Sequence, residues 1–191
     1  MAYKTYTSEA IVVESRERLG ADRMVRLFTL EAGMIDARAQ SVREEKSKMR
    51  YALQPFSRVR ITVVRGKREW RLIGVECRHN VFFNAHDRAA RASLVKCMKL
   101  INRFVVGEEP HTELYDEVIR GMTHLEQDGR DLAFQVIAFR LLAHLGYMAP
   151  EGVLQEIWQA SSIPEAIAKA PESTQYALGQ SVAHALAVSH L

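Results

Sequence analysis

Eleven basic side chains lie between Arg38 and Arg71: Arg38, Arg43, Lys46, Lys48, Arg50, Arg58, Arg60, Arg65, Lys67, Arg68 and Arg71. Only three acids, Glu44, Glu45 and Glu69, interrupt them. Fixed cations at this density do not break bonds. They neutralise phosphates and release counterions, which gives a binding reaction that weakens steeply with salt. Tyr51, Phe56 and Trp70 are interleaved with the charges, and an exposed ring there would stack on a base for about 1–3 kcal/mol. Phe56, beside Pro55 and just before an apolar strand, reads as core. Tyr51 and Trp70 are the candidate platforms.

Covalent chemistry has little to work with. The chain contains no GxxxxGK, GxSxG or HExxH, and its ten glycines never gather into a phosphate-cradling loop. Seven histidines are scattered, and His124 with Asp128 is the single helical i,i+4 pair of ligand type, read as a surface contact. No metal site, cofactor or catalytic residue is expected. Cys77 and Cys97 form no CxxC pair and read as small buried hydrophobes.

The elements that position these residues change period near Asn80. Before it, Glu9 to Glu14, Met24 to Leu30, Ile35 to Gln40, Arg58 to Val63 and Trp70 to Cys77 carry the two-residue alternation or short β-branched runs of strands. Glu31-Ala32-Gly33 and Arg65-Gly66-Lys67 supply turns between them. Ser41 to Arg50 lacks periodicity and reads as a basic loop. Arg58 and Arg60, two residues apart, share one strand face. Five short strands in so small a span predict a closed Greek-key barrel of the OB type, whose usual ligands are oligonucleotides or oligosaccharides.

After Asn80, Leu94, Met98, Ile101 and Val105 recur at helical spacing. Asp131 to Leu145 is apolar on nearly every side, with Gly146 to stop it. Ser162-Ile163-Pro164-Glu165 reads as a capping box, and Thr174 to His190 as a last helix. The expected architecture is α+β in two parts, an OB barrel over 1–80 and an all-α helical domain over 81–191. Charge divides the same way. Met1 to Asn80 holds 17 Lys and Arg against 10 Asp and Glu, a net +7, whereas the remainder carries a net −4. No apolar run is long enough to span a bilayer, and Lys4 and Glu9 interrupt any secretory signal. A cytoplasmic location with no membrane partner is therefore expected.

Ser47-Lys48-Met49-Arg50-Tyr51-Ala52-Leu53-Gln54-Pro55-Phe56-Ser57 resembles the S-K-x-R-x-x-L-Q-P-F-[ST] signature of the bacterial recombination-mediator family RecO. Tyr6-Thr7-Ser8-Glu9-Ala10-Ile11-Val12-Val13 is similar to that family's opening, and Leu145-Gly146-Tyr147-Met148-Ala149-Pro150 to its Leu-Gly-Tyr-x-Pro turn. The resemblance implies binding of single- and double-stranded DNA, annealing of complementary strands and, with RecR, help for RecA in replacing single-stranded DNA-binding protein. It places family basic positions on Arg43, Lys48 and Arg50, and implies no nucleotide cofactor. It also implies a pocket in the helical part for the acidic, apolar tail of single-stranded DNA-binding protein, with Arg91, Lys96, Lys99, Arg103 and Arg140 as basic candidates. Arg140, set among Phe134, Ile137, Phe139, Leu141 and Leu142, must be paired or lie at a rim. Ser41 stands where the family usually has Gly. No cysteine follows Cys97, so the four-cysteine zinc element of many members is not expected. On the residues alone, an RNA-binding OB protein and an adaptor meeting an acidic protein through its basic face remain open alternatives.

Overall fold

A computed structural model describes residues 4–18, 20–42, 47, 49–67, 69–170 and 172–188. Arg43, Lys46, Lys48 and Arg68 fall outside the described residues, as does His190 at the end of the expected last helix. The chain forms two compact units, one of residues Met1–Asn84 with Val105–Tyr115 and the other of Ala85–Phe104 with Asp116–Leu191. The segment Val105–Tyr115 thus groups with the barrel, whereas a division at residue 80 assigns it to the helical part.

The first unit is a five-stranded closed barrel of β1 (Thr5–Glu17), β2 (Arg23–Thr29), β3 (Gly33–Ala39), β4 (Ser57–Arg65) and β5 (Trp70–Asn80) in the order β1-β2-β3-β5-β4. The expected OB-type barrel is present. Its interior is filled by the alternate residues the strand period selects: Ala10 and Val12, Val25 and Leu27, Ile35 and Ala37, Val59, Ile61 and Val63, and Leu72. β1 pairs with β2 along one edge and β4 along the other, and a register shift between Val12 and Glu14 bends it enough to serve both. The seam between β3 and β5 is parallel and short, Ala37 to Ala39 against Trp70 to Leu72.

Gly33 closes the β2–β3 turn at φ 62, and an added Cβ would meet the Glu109 carbonyl at 2.2 Å. That contact and the Met34 amide donating to the Gly107 carbonyl at 2.9 Å seat the 105–115 segment on the barrel. Ser41 has φ 53, a conformation easiest for glycine. This accounts for the glycine usual at that place in the resemblance. The short helix α1 (Met49–Ala52) interrupts the segment that reads as loop.

One expectation of burial is corrected, that of Cys77, and the face of Trp70, which the sequence leaves open, is the inner one. Trp70 is only 7% exposed, because it faces the barrel interior from the first position of β5. Cys77 is exposed, within the Glu76–Arg78 stretch of β5 that lies open to solvent although its register partner Val59 is buried. Cys97 is buried as expected, and burial pushes its thiol up to about 12.

The second unit contains α2 (Arg88–Phe104), α4 (Asp131–His144), α5 (Val153–Gln159), α6 (Ile163–Ala168), α7 (Glu172–Val188) and most of α3 (Thr112–Gln127). α4 is its hub, touching α2, α5, α6 and α7, which is why nine residues from Ala133 to Leu142 are buried on every side. Asp87 caps α2 by accepting from the Ala90 amide at 2.7 Å. The box at α6 is shifted by one residue: Ser162 accepts from the Glu165 amide, but Glu165 reaches back to the amide and hydroxyl of Ser161. Lys169 and these Ser161 contacts hold the Glu165 carboxyl at about 2.

Candidate nucleic-acid interface

An OB barrel presents ligands to the β2–β3 face and to the loops between β1 and β2 and between β4 and β5. Here those loops are tied together by charge. Arg18 in the first meets Glu69 in the second at 2.6 Å, and Arg38 on β3 meets Asp22 at 2.6 Å and Glu69 at 3.5 Å. Asp22 also accepts from the Ser41 amide at 3.0 Å. The Ser41 amide and then Arg38 hold Asp22 below the usual carboxylate range, and Arg18 does the same for Glu69. Because these folded-state values are depressed, the tie contributes above the ordinary carboxylate range and loosens as pH falls through the folded values.

The β3–β5 seam sets Arg38 directly beside Arg71. Arg71 is exposed and donates to Gln40 at 3.2 Å, while Lys67 is exposed at the hairpin tip. These residues, with Arg18, form a cationic end of the barrel. Arg38 itself is spoken for by two acids, so its role there is to hold the loops. Arg18 escaped the sequence reading. The available signal was its place in the first inter-strand loop of an OB barrel.

Arg58 and Arg60 do share an outward face, since Val59 and Ile61 between and after them point inward. They do not join the hairpin end. Arg60 is five residues from Arg65, about 16 Å along a strand at about 3.3 Å per residue, and stands in register between Glu9 on β1 and Glu76 on β5. Arg26, outward on β2, likewise faces Asp36 on β3 and Glu14 on β1. At the hairpin end Arg18, Arg38 and Arg65 each hold an acid, whereas exposed Lys67 and Arg71 pair with none among the described residues; Arg58, between Ile11 and His79 in register, has no acid beside it either.

Among the aromatic candidates, Tyr51 is 78% exposed beside exposed Arg50 and can offer a stacking surface. Trp70 cannot do so from inside the barrel. Phe83, which sequence reasoning missed, is 67% exposed on a turn fixed by Asn80, whose side chain accepts from the Phe82 and Phe83 amides and donates to the Pro55 carbonyl. Phe56 is half-buried and stacks on Phe82 at 5.0 Å. The Gln-Pro-Phe-Ser stretch thus helps brace an exposed ring.

In the helical unit, Lys96, Lys99 and Arg103 recur at the three-and-four spacing of one face of α2 and line a cavity of about 470 Å³. Leu100, Phe134 and Val182 supply its apolar wall. Lys96 lies 3.0 Å from Asp131 and over the Phe134 ring at 5.1 Å. Arg91 is not among the lining residues.

Arg140 is a correction. It is 6% exposed, pairs in bidentate fashion with fully buried Glu117, and donates to the carbonyls of Ile157, Trp158 and Ala160 at 2.8–3.1 Å. Its donors are spent holding α3, α4 and the end of α5 together, so it is unavailable to a partner. Among the described residues no group of three or more His, Cys, Asp or Glu could hold a metal ion, and no helix is long and apolar enough to cross a membrane.

Comparison with known proteins agrees with the barrel. Residues 1–77 match the family model described as "Recombination protein O N terminal". Among curated relatives, proteins named DNA repair protein RecO are similar to this chain. That of Desulfitobacterium hafniense is 28% identical over 142 residues, covering 74% of this chain and 52% of the relative. That of Myxococcus xanthus is 29% identical over 148 residues, covering 75% and 59%. That of Cutibacterium acnes is 35% identical over 75 residues, covering 39% and 30%. The chain spans about half the length of the first two of these relatives. With the five-stranded OB barrel standing where the family model matches, the resemblance carried by Ser47 to Ser57 is borne out, and residues 1–77 are similar to the recombination protein O N-terminal family.

Proposed function

We propose that this protein acts in DNA repair and recombination by binding DNA electrostatically at the hairpin end of its barrel. It neutralises the phosphates of one strand and so lowers the repulsion that keeps a complement away. The observation that carries the reading is the pair of exposed cations Lys67 and Arg71 beside loops locked by Arg18 and Arg38. In this reading the protein anneals complementary strands and, with RecR, assists RecA on single-stranded DNA coated by its binding protein. Arg43, Lys46, Lys48, Arg50 and Arg68 are further phosphate contacts in this reading, on the strength of the sequence.

A salt series with fluorescent single-stranded DNA, double-stranded DNA and matched RNA tests it. Log K should fall with log[salt] at a slope of about −0.7 per phosphate contacted on a single strand. Lys67→Glu with Arg71→Glu should make that slope shallower by about 1.4, that is, by two contacts, while circular dichroism stays unchanged. Equal slope and affinity in the variant would remove the hairpin end from the interface. Absence of DNA binding at low salt would remove the function, and preference for RNA would favour the RNA-binding alternative.

The helical unit is the partner platform in this reading. The acidic, apolar tail of single-stranded DNA-binding protein enters the cavity on α2, its carboxylates meeting Lys96, Lys99 and Arg103 and its apolar side chains meeting Leu100 and Phe134. A labelled tail peptide should bind at least about tenfold more weakly, or about 1.4 kcal/mol, to the Lys99→Glu/Arg103→Glu protein. Undiminished binding would place the tail elsewhere.

A further inference from the structure

Glu69 is the only acid between Lys46 and Val75, and it stands among the cations of the β4–β5 hairpin. Its backbone is anchored, since the Glu69 carbonyl accepts from the Gly66 amide at 3.0 Å and Trp70 is buried directly after it. Its carboxylate is held by arginine side chains. One oxygen accepts from Arg18 at 2.6 Å, and the other lies 3.5 Å from Arg38. An anion bridging two guanidinium groups in this way does what a phosphate does between the same donors.

The two halves of the clasp differ. Asp22 is 14% exposed, and besides the Ser41 amide it takes Nε and Nη2 of Arg38 at 2.7 and 2.6 Å. That half is closed. Arg18 and Glu69 are 42% and 28% exposed. An ion pair so open to water contributes little, whereas an arginine on a phosphate keeps its charge-assisted bonds and also releases a counterion from the strand. Exchange of the carboxylate for a phosphate therefore favours the strand.

We infer that Glu69 occupies the seat of a DNA phosphate: a bound single strand displaces it, and the freed Arg18 takes the phosphate while Arg38 stays on Asp22. The Arg18–Glu69 pair then holds the two loops in their binding arrangement before DNA arrives, and it adds Arg18 to the interface when DNA does. The inference rests on the DNA-binding reading above, and it gives Arg18 and Glu69 roles that the contacts of Lys67 and Arg71 do not require.

Anisotropy of labelled oligothymidylate over a salt series tests the exchange in the full chain. Arg18→Gln should make the slope of log K against log[salt] shallower by about 0.7, one phosphate contact, although this arginine is paired in the free protein. Arg18→Lys, which keeps the charge, should restore the wild-type slope. Glu69→Gln should raise affinity about two- to fivefold, because an exposed pair no longer has to be broken. Its slope should match the wild type, because the same phosphates are met. The gain should vanish when Glu69→Gln is combined with Arg18→Gln. A wild-type slope in Arg18→Gln overturns the exchange, and so does an unraised affinity in Glu69→Gln. A steeper slope in Glu69→Gln also overturns it, since the pair would then stay closed on the wild-type complex. A gain that survives without Arg18 overturns it as well, being relief of repulsion alone. Each of these results leaves the contacts of Lys67 and Arg71 standing. Failure of the wild-type protein to bind at low salt overturns both readings.

Discussion

Replacing Arg140 with Met is expected to destabilise the helical unit by about 3–5 kcal/mol, the scale of breaking a buried ion pair from one side. Two losses combine. Glu117, with a side chain 0% exposed, keeps only Arg120 as a charged partner, and the carbonyls of Ile157, Trp158 and Ala160 lose a shared donor. Trp158, whose ring meets His144 at 4.5 Å, reports this locally. In a Trp70→Phe background its emission should follow a urea transition moved to lower denaturant. A midpoint unchanged within error would mean that Arg140 is not the tie described. The pH dependence has a fixed sign. Burial pushes the Glu117 carboxyl up, but hydrogen bonds and charge from Arg140 and Arg120 outweigh it and leave it below its ordinary value. The wild-type contribution is therefore present above the ordinary carboxylate range and is lost as pH falls through the depressed folded value. Protonation also removes the poorly paired charge from the variant. The gap between the two proteins should accordingly narrow on acidification.

Gly33→Ala is expected to cost the barrel about 2–5 kcal/mol. A left-handed backbone at φ 62 contributes about 1–2 kcal/mol against a side chain. The clash contributes about 1–3 kcal/mol more, because the new Cβ would meet backbone atoms, the Glu109 carbonyl at 2.2 Å and the Gly107 carbonyl at 2.8 Å. The 105–115 segment must lift, which also strains the Met34 amide bond to Gly107. Urea unfolding followed at Trp70 in the Trp158→Phe protein measures this. Wild-type stability would show that the segment yields without cost. Gly20 has a similar φ of 76 but open space around it, so Gly20→Ala isolates the conformational part.

The barrel was legible because its strands obey a local rule. Ile35, Ala37 and Ala39 alternate with polar residues, and the structure buries all three. Helix α4 was legible for the complementary reason, being apolar on all sides and so fit only for the middle of a bundle. What escaped were matters of distant pairing. Nothing near Arg38 announces Asp22 and Glu69, which arrive from two loops. The need of Arg140 for a partner was readable from its apolar neighbours, but Glu117 lies 23 residues earlier on another helix. Trp70 begins its strand directly after a hairpin, where alternation has no preceding residue to set the face. Cys77 is exposed although its register partner Val59 is buried, and no local signal in β5 marks that difference. On α2, by contrast, helical spacing alone places Lys96, Lys99 and Arg103 on one side, and the cavity adds what they surround.

The double pairing of β1 has a consequence for association. A strand bonded along both margins offers no row of idle amides and carbonyls along its own length, so another chain cannot lengthen the sheet there; the margin left open is the short β3–β5 seam, beyond which Ile73–Asn80 of β5 has no partner on β3. Contacts made along β1 with DNA, with other proteins or with another copy must then be made through side chains and loops. Such contacts are reversible and salt-tunable, and their loss leaves the barrel's hydrogen-bonded frame intact.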